Sequence, residues 1–162
     1  MKQLLLTTIA AVLLVGTAFA DPIHDAASTG DLARVQAELD KGVDVNVKMN
    51  NGCTPLDIAV WYEAAEVADL LRTHGGKHGV INGAAAGGDI EAVKGFLGAG
   101  ADVNVTDEWG WAPIHEAVTY GQVEVTKLLI AEGADVNAIG GDWMRRLCTK
   151  RLVSDTTKSS NC

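Results

Sequence analysis

Beyond its first twenty residues the chain has no apolar run long enough to cross a bilayer. Positive charge is scarce. Residues 21–142 carry 20 Asp and Glu against 7 Lys and Arg. So acidic a body repels phosphate backbones and argues against a nucleic-acid partner. It permits a basic partner, though acidity is also a plain solubility device. Cysteine is sparse and odd in number, at Cys53, Cys148 and Cys162. In an oxidising compartment one thiol at least stays unpaired or bridges to another molecule. Patterns that carry chemistry are missing as well. His115-Glu116 has no second His at helical spacing, and no glycine loop is built to cradle phosphate. His74 and His78 flank Gly75-Gly76-Lys77. Two imidazoles on one loop do not make a metal site, and a solvated loop is expected there. No catalytic residue, metal or cofactor is expected.

What is present begins with a leader. Lys2 supplies a positive start, the stretch from Leu4 to Val15 is apolar apart from Thr7 and Thr8, and Ala18-Phe19-Ala20 is a small-x-small cleavage site before Asp21. Residues 1–20 therefore read as a secretory signal peptide, with an uncleaved anchor as the alternative. The expected mature protein starts at Asp21, lies in the periplasm or outside the cell, and has no stable membrane insertion after cleavage.

The body repeats itself. Gly30-Asp31-Leu32, then Gly42-Val43-Asp44-Val45-Asn46, returns 58 positions later as Gly88-Asp89-Ile90, then Gly100-Ala101-Asp102-Val103-Asn104. Thr54-Pro55-Leu56-Asp57 returns at the same offset as Ala112-Pro113-Ile114-His115, and Gly133-Ala134-Asp135-Val136-Asn137 follows 33 positions after the second copy. Periods of this size mark stacked supersecondary units rather than one globular core. Within a unit, Thr54 offers a hydroxyl cap and Pro55 fits a first helical position, where its missing N–H is not needed. Val67, Ala68, Leu70 and Leu71 form the apolar stripe of a second helix, and Gly75 closes it.

These residues resemble the ankyrin repeat family. The resemblance implies an all-α solenoid of helix-turn-helix units with short β-hairpin fingers. Its units are approximately 22–48, 49–77, 80–105 and 106–138, within a repeat domain over 21–142. The first and third lack a leading finger. The 58-residue double unit implies that a two-repeat block was duplicated. Several positions depart from the pattern: Glu63 stands at a Gly turn, Ala112 at a capping Thr, and Asp57 and Asn82 where His24 and His115 supply the family's His. By the resemblance, His24 and His115 hold neighbouring hairpins by hydrogen bonds. The break at residues 74–78 removes a finger, and either changes the curvature or leaves a gap in their row.

Residues 143–162 do not fit. They carry 5 basic residues against 1 acidic and no repeat pattern. Read in a shifted frame, their codons permit Asp-Glu-Thr-Pro-Leu-His-Lys-Ala-Ala, at repeat spacing. The segment is thus expected to be a frameshifted fifth repeat. The alternative is a true basic tail, disordered or folded onto the acidic body. Without a polar cap, the end of the fourth unit, with Val125, Leu128, Leu129 and Ile130, is expected to fray or associate.

The family binds proteins through its fingers and the inner-helix face. Carried over by position, the partner-binding candidates are Met49, Asn51, Asp107, Trp109 and Trp111 on the fingers, and Trp61, Tyr62 and Tyr120 at inner-helix ends. Trp and Tyr are the side chains that anchor interfaces. The expected function is a non-enzymatic, exported protein-binding module with an unknown protein partner. The alternatives are an envelope stress or redox accessory protein, using Cys53 on a finger tip or supporting another enzyme, and a decayed gene product.

Overall fold

The computed structural model describes residues 21–140. The expected signal peptide and the atypical basic segment lie outside the described residues. Eight short helices occupy the described part: α1 (Pro22–Thr29), α2 (Leu32–Asp40), α3 (Pro55–Trp61), α4 (Ala65–Thr73), α5 (Ile81–Gly87), α6 (Ile90–Gly98), α7 (Pro113–Thr119) and α8 (Val123–Ala131). Odd-numbered helices form an inner row and even-numbered ones an outer row. Each inner helix packs on the next, whereas the outer row joins closely only within pairs, α2 with α4 and α6 with α8.

Local chemistry sets the helix ends. Pro22, Pro55 and Pro113 stand at first helical positions. Thr54 and Asp57 form a capping box, and Asp31 and Asp89 accept from the N–H groups of Arg34 and Ala92 at 3.0 and 2.9 Å. Ala112 has no side chain to cap with; instead its N–H donates to His115 Nδ1 at 2.9 Å. The turn between inner and outer helix is left-handed. Gly30, Gly88 and Gly121 take it in three units, and Glu63, at a φ of 56°, takes it in the second.

The fingers are turns rather than strands. No strand occurs among the described residues. Two backbone bonds close each finger: Met49 N to Cys53 O and Gly52 N to Met49 O, both at 2.9 Å, and Asp107 N to Trp111 O and Gly110 N to Asp107 O, both at 3.0 Å. The β-hairpin expectation gives way because each tip is too tight for a second ladder pair.

The Asp-Val-Asn phrases bind one unit to the next. Asp44 and Asp102 each accept from the N–H two residues on, at 2.9 Å. The turn aims Asn46 at the following unit, where it bonds Gly75 O at 3.1 Å and Lys77 N at 2.7 Å. Asn104 does the same with Gly133 O and Asp135 N, at 3.3 and 2.8 Å.

Two apolar cores fill the stack, not one. Ile23, Val35, Leu56, Val67 and Leu71 anchor the first, within units one and two. Ile81, Val93, Ile114, Val125 and Leu129 anchor the second, within units three and four. Val125 and Leu129 are buried against the third unit, so only part of the expected terminal apolar face is open, chiefly Ile130.

Between the cores lies a polar seam. Asp57 Oδ1 sits 2.7 Å from His78 Nδ1, with both side chains buried. Asp57 Oδ2 accepts from Thr54 N, Thr54 Oγ1 and Gly79 N at 2.9, 3.0 and 2.8 Å. A Cβ on Gly83 would overlap the Asp57 carboxylate, so that helix must present bare backbone here. His78 is therefore no part of a solvated loop, as its sequence setting implies. It reaches back 21 positions to the acid that replaces the second unit's His.

Candidate functional site

The connection from α4 to α5 spans only residues 74–80, half the length of the finger-bearing connections 41–54 and 99–112. The shortfall leaves a cleft of about 430 Å³ over the third unit. Asn51 and Cys53 border it on one side, Asp107, Glu108 and Trp109 on the other, with Val80, Ile81 and Asn82 in its floor and Trp61 in its wall. The third unit's inner helix, Ile81-Asn82-Gly83-Ala84-Ala85-Ala86-Gly87, is built of small side chains, which keeps the floor low.

Four of the eight candidates thus come together: Asn51, Trp61, Asp107 and Trp109. Trp109 is 56 % exposed, on the finger between α6 and α7. Asp107 orders that finger, its Oδ1 accepting from Trp109 N at 2.9 Å and Trp111 N at 2.8 Å. Asn51 plays the same part for Cys53 N, at 3.2 Å. Trp61 is half-buried, with an unpartnered Nε1. Tyr120 stands beside the cleft, its hydroxyl donating to Trp61 O at 2.8 Å. Tyr62, 65 % exposed, and half-buried Met49 lie outside the lining.

Trp111 differs from its expected place on the open surface. It is 6 % exposed, because the tight finger turns it inward, and its ring lies 5.9 Å from that of His115. Cys53 is likewise not at a finger tip. It is 3 % exposed at the finger's base. Burial, reinforced by Asp57, Glu108 and Asp107, pushes its thiol up to about 12. Such a thiol is protonated and inert at neutral pH.

His115 Nε2 lies 2.8 Å from Ala138 O, at the end of its own unit. His24 packs its ring nitrogens, buried and without a well-formed hydrogen bond, against the backbone of Val47 and of Cys53 in the next unit's finger. Burial lowers its pKa below the usual histidine value.

Glu116 is the group sequence reasoning passed over. It lies on α7 at 7 % exposure, and no described residue hydrogen-bonds its carboxylate. Burial, then the charge of Asp107, raises its pKa to about 7. Burial, with Glu116 and Glu63, raises Tyr120 to about 12. The available signal is an acidic residue on an inner helix among Ile114, Ala117 and Val118. Among the described residues no group of three metal-ligating side chains gathers, and no helix is long and apolar enough to cross a membrane.

A stack of paired helices with its aromatic side chains ranged along the fingers and inner row defines a helical repeat interaction module. Two family models match it, one described as ankyrin repeats (many copies) over residues 23–72, the other as ankyrin repeats (3 copies) over 81–147. The chain belongs to the ankyrin repeat family. The second match runs past the described residues into the basic segment. No curated protein matches the chain.

Proposed function

We propose that this is an exported, non-enzymatic module that binds a protein partner through the cleft and its rim, in the periplasm or outside the cell. The observation that carries the reading is that exposed Trp109 and half-buried Trp61 line the same cleft of about 430 Å³. Its volume falls in the range of specific binding pockets, and partly open Trp side chains at such a site are typical interface anchors. Residues 1–20 support the export reading through their charge, apolar run and cleavage site. The redox reading draws no support from a buried Cys53.

The test is capture of partners by the chain and by a variant with Trp61, Tyr62 and Trp109 changed to Ala. Trp111 is left intact because it is a packing residue. Partners retained by both proteins defeat the reading. Cell fractionation with and without residues 2–20 tests export, which fails if the two distribute alike.

A further inference from the structure

The two cores meet at a joint that is packed along one edge. On the inner row α3 rests on α5, with the Asp57–His78 seam between the cores, whereas on the outer row α4 and α6 do not pack closely. The sequence explains the open edge. Nine positions after the left-handed turn residue, Leu39 and Leu97 each pack on the core of their own block. The second unit holds Arg72 at this place, exposed and paired with Asp69 at 3.2 Å. Seven positions after the turn residue, Leu70 and Leu128 pack on the cores as well. The third unit has Gly95 there, and a Cβ on it would meet nothing within 4 Å. Both apolar side chains that would join α4 to α6 are therefore absent, and no buried area holds this edge together.

The cleft straddles the same joint. Asn51, Cys53 and Trp61 come from the second unit, in the first block, while Asp107, Glu108 and Trp109 come from the finger of the second block. Rotation of one block against the other at the seam changes the distance between the two rims. The Tyr120 hydroxyl on Trp61 O, at 2.8 Å, ties the blocks together on the cleft side. Each block keeps its own close-packed core and moves as a unit, which is the arrangement of a hinge.

We infer that the two blocks pivot about the Asp57–His78 seam and so set the width of the cleft, with the Tyr120–Trp61 bond as the strap that limits its opening. The bonds from His78 and Gly79 to Asp57 keep the pivot in place, because they lie at the packed edge, where rotation displaces atoms least. The use of the motion, closing the two rims on a protein partner, rests on the binding reading above.

The experiment uses the full chain with Cys148 and Cys162 changed to Ser and spin labels at matching places on the outer helices. Cys53 is buried and stays unlabelled. Gln36→Cys with Asp69→Cys reports on the first block, Lys94→Cys with Lys127→Cys on the second, and Asp69→Cys with Lys94→Cys on the joint. Distance distributions from electron spin resonance are expected to be narrow within each block and broad across the joint. Tyr120→Phe is expected to broaden and shift the joint's distribution and to leave those of the blocks unchanged, which a plain loss of stability would not do. Arg72→Leu with Gly95→Leu supplies the missing outer contact and is expected to narrow the joint to the width of the blocks. The inference is overturned if the joint is as narrow as the blocks before any of these changes, or if Tyr120→Phe leaves its distribution as it was. Should Tyr120→Phe fail to fold in thermal melts, the Leu pair decides, and a joint it does not narrow overturns the pivot. Partner capture that survives the aromatic variant defeats the binding reading and leaves the pivot standing; capture lost with a joint as narrow as the blocks does the reverse.

Discussion

The Tyr120 hydroxyl donates to the Trp61 carbonyl across 2.8 Å, joining the second unit to the fourth over the head of the third. Contacts in a repeat stack ordinarily reach only the adjacent unit. This one skips a unit because α5 is made of Ala and Gly at its end and Gln122, bonded to Ala86 O at 2.9 Å, draws α7 close. Tyr120→Phe removes the bond while keeping the ring. It is expected to lower stability by roughly 0.5–1.5 kcal/mol, measured by urea unfolding. No change would mean the bond is not held in solution.

Two glycines separate packing from propensity. Gly83→Ala sets a methyl against the Asp57 carboxylate in the seam. Overpacking of this kind costs roughly 1–3 kcal/mol. Gly95 lies inside α6 with open space around it, so Gly95→Ala is expected to stabilise by about 0.5–1 kcal/mol. Thermal melts of the two variants should move in opposite directions.

The seam itself is tested by His78→Ala. Removing His78 takes one hydrogen-bond partner from a buried carboxylate, a loss that typically costs about 1–3 kcal/mol. Denaturant midpoints for this variant should fall well below those of an exposed control such as His74→Ala.

Two groups give stability opposite pH slopes. The folded-state pKa of Glu116 is raised from 4.5 to about 7, so the native state keeps a proton that the unfolded chain releases. Its contribution is present below pH 4.5 and is lost as pH rises through 7. His24 is depressed below 6.5, so its contribution is present above 6.5 and is lost as pH falls through the folded value. Glu116→Gln should flatten the decline toward neutral pH and leave the acid limb in place. Urea unfolding across the pH range reads both.

Cys53 should resist thiol reagents. With Cys148 and Cys162 changed to Ser, the native chain at mild alkaline pH is expected to react at least about a hundredfold more slowly than the urea-unfolded one. Equal rates would restore the redox reading.

The architecture was legible because its signals are local. Pro55 and Pro113 mark helix starts by their covalent geometry, and each Asp-Val-Asn phrase carries its own turn. The gap in the finger row followed from the short run at residues 74–80. The residues misjudged depend on partners far away in sequence. His78 read as solvated because periodicity does not reveal that Asp57 waits 21 positions earlier. Trp111 and Cys53 are expected outside because the family's finger positions face outward, whereas these tight turns fold both side chains in. The raised pKa of Glu116 depends likewise on a residue outside its own helix, Asp107.

Units that resemble one another invite errors of order, because any apolar face can dock on any other. The seam forbids one such error. Stacked on the wrong neighbour, Asp57 would lose His78 and the Gly79 N–H and would meet a Cβ where Gly83 now offers none. The second unit therefore accepts only the third as its successor. Two copies of this chain that met while folding would gain nothing by exchanging blocks at any other point.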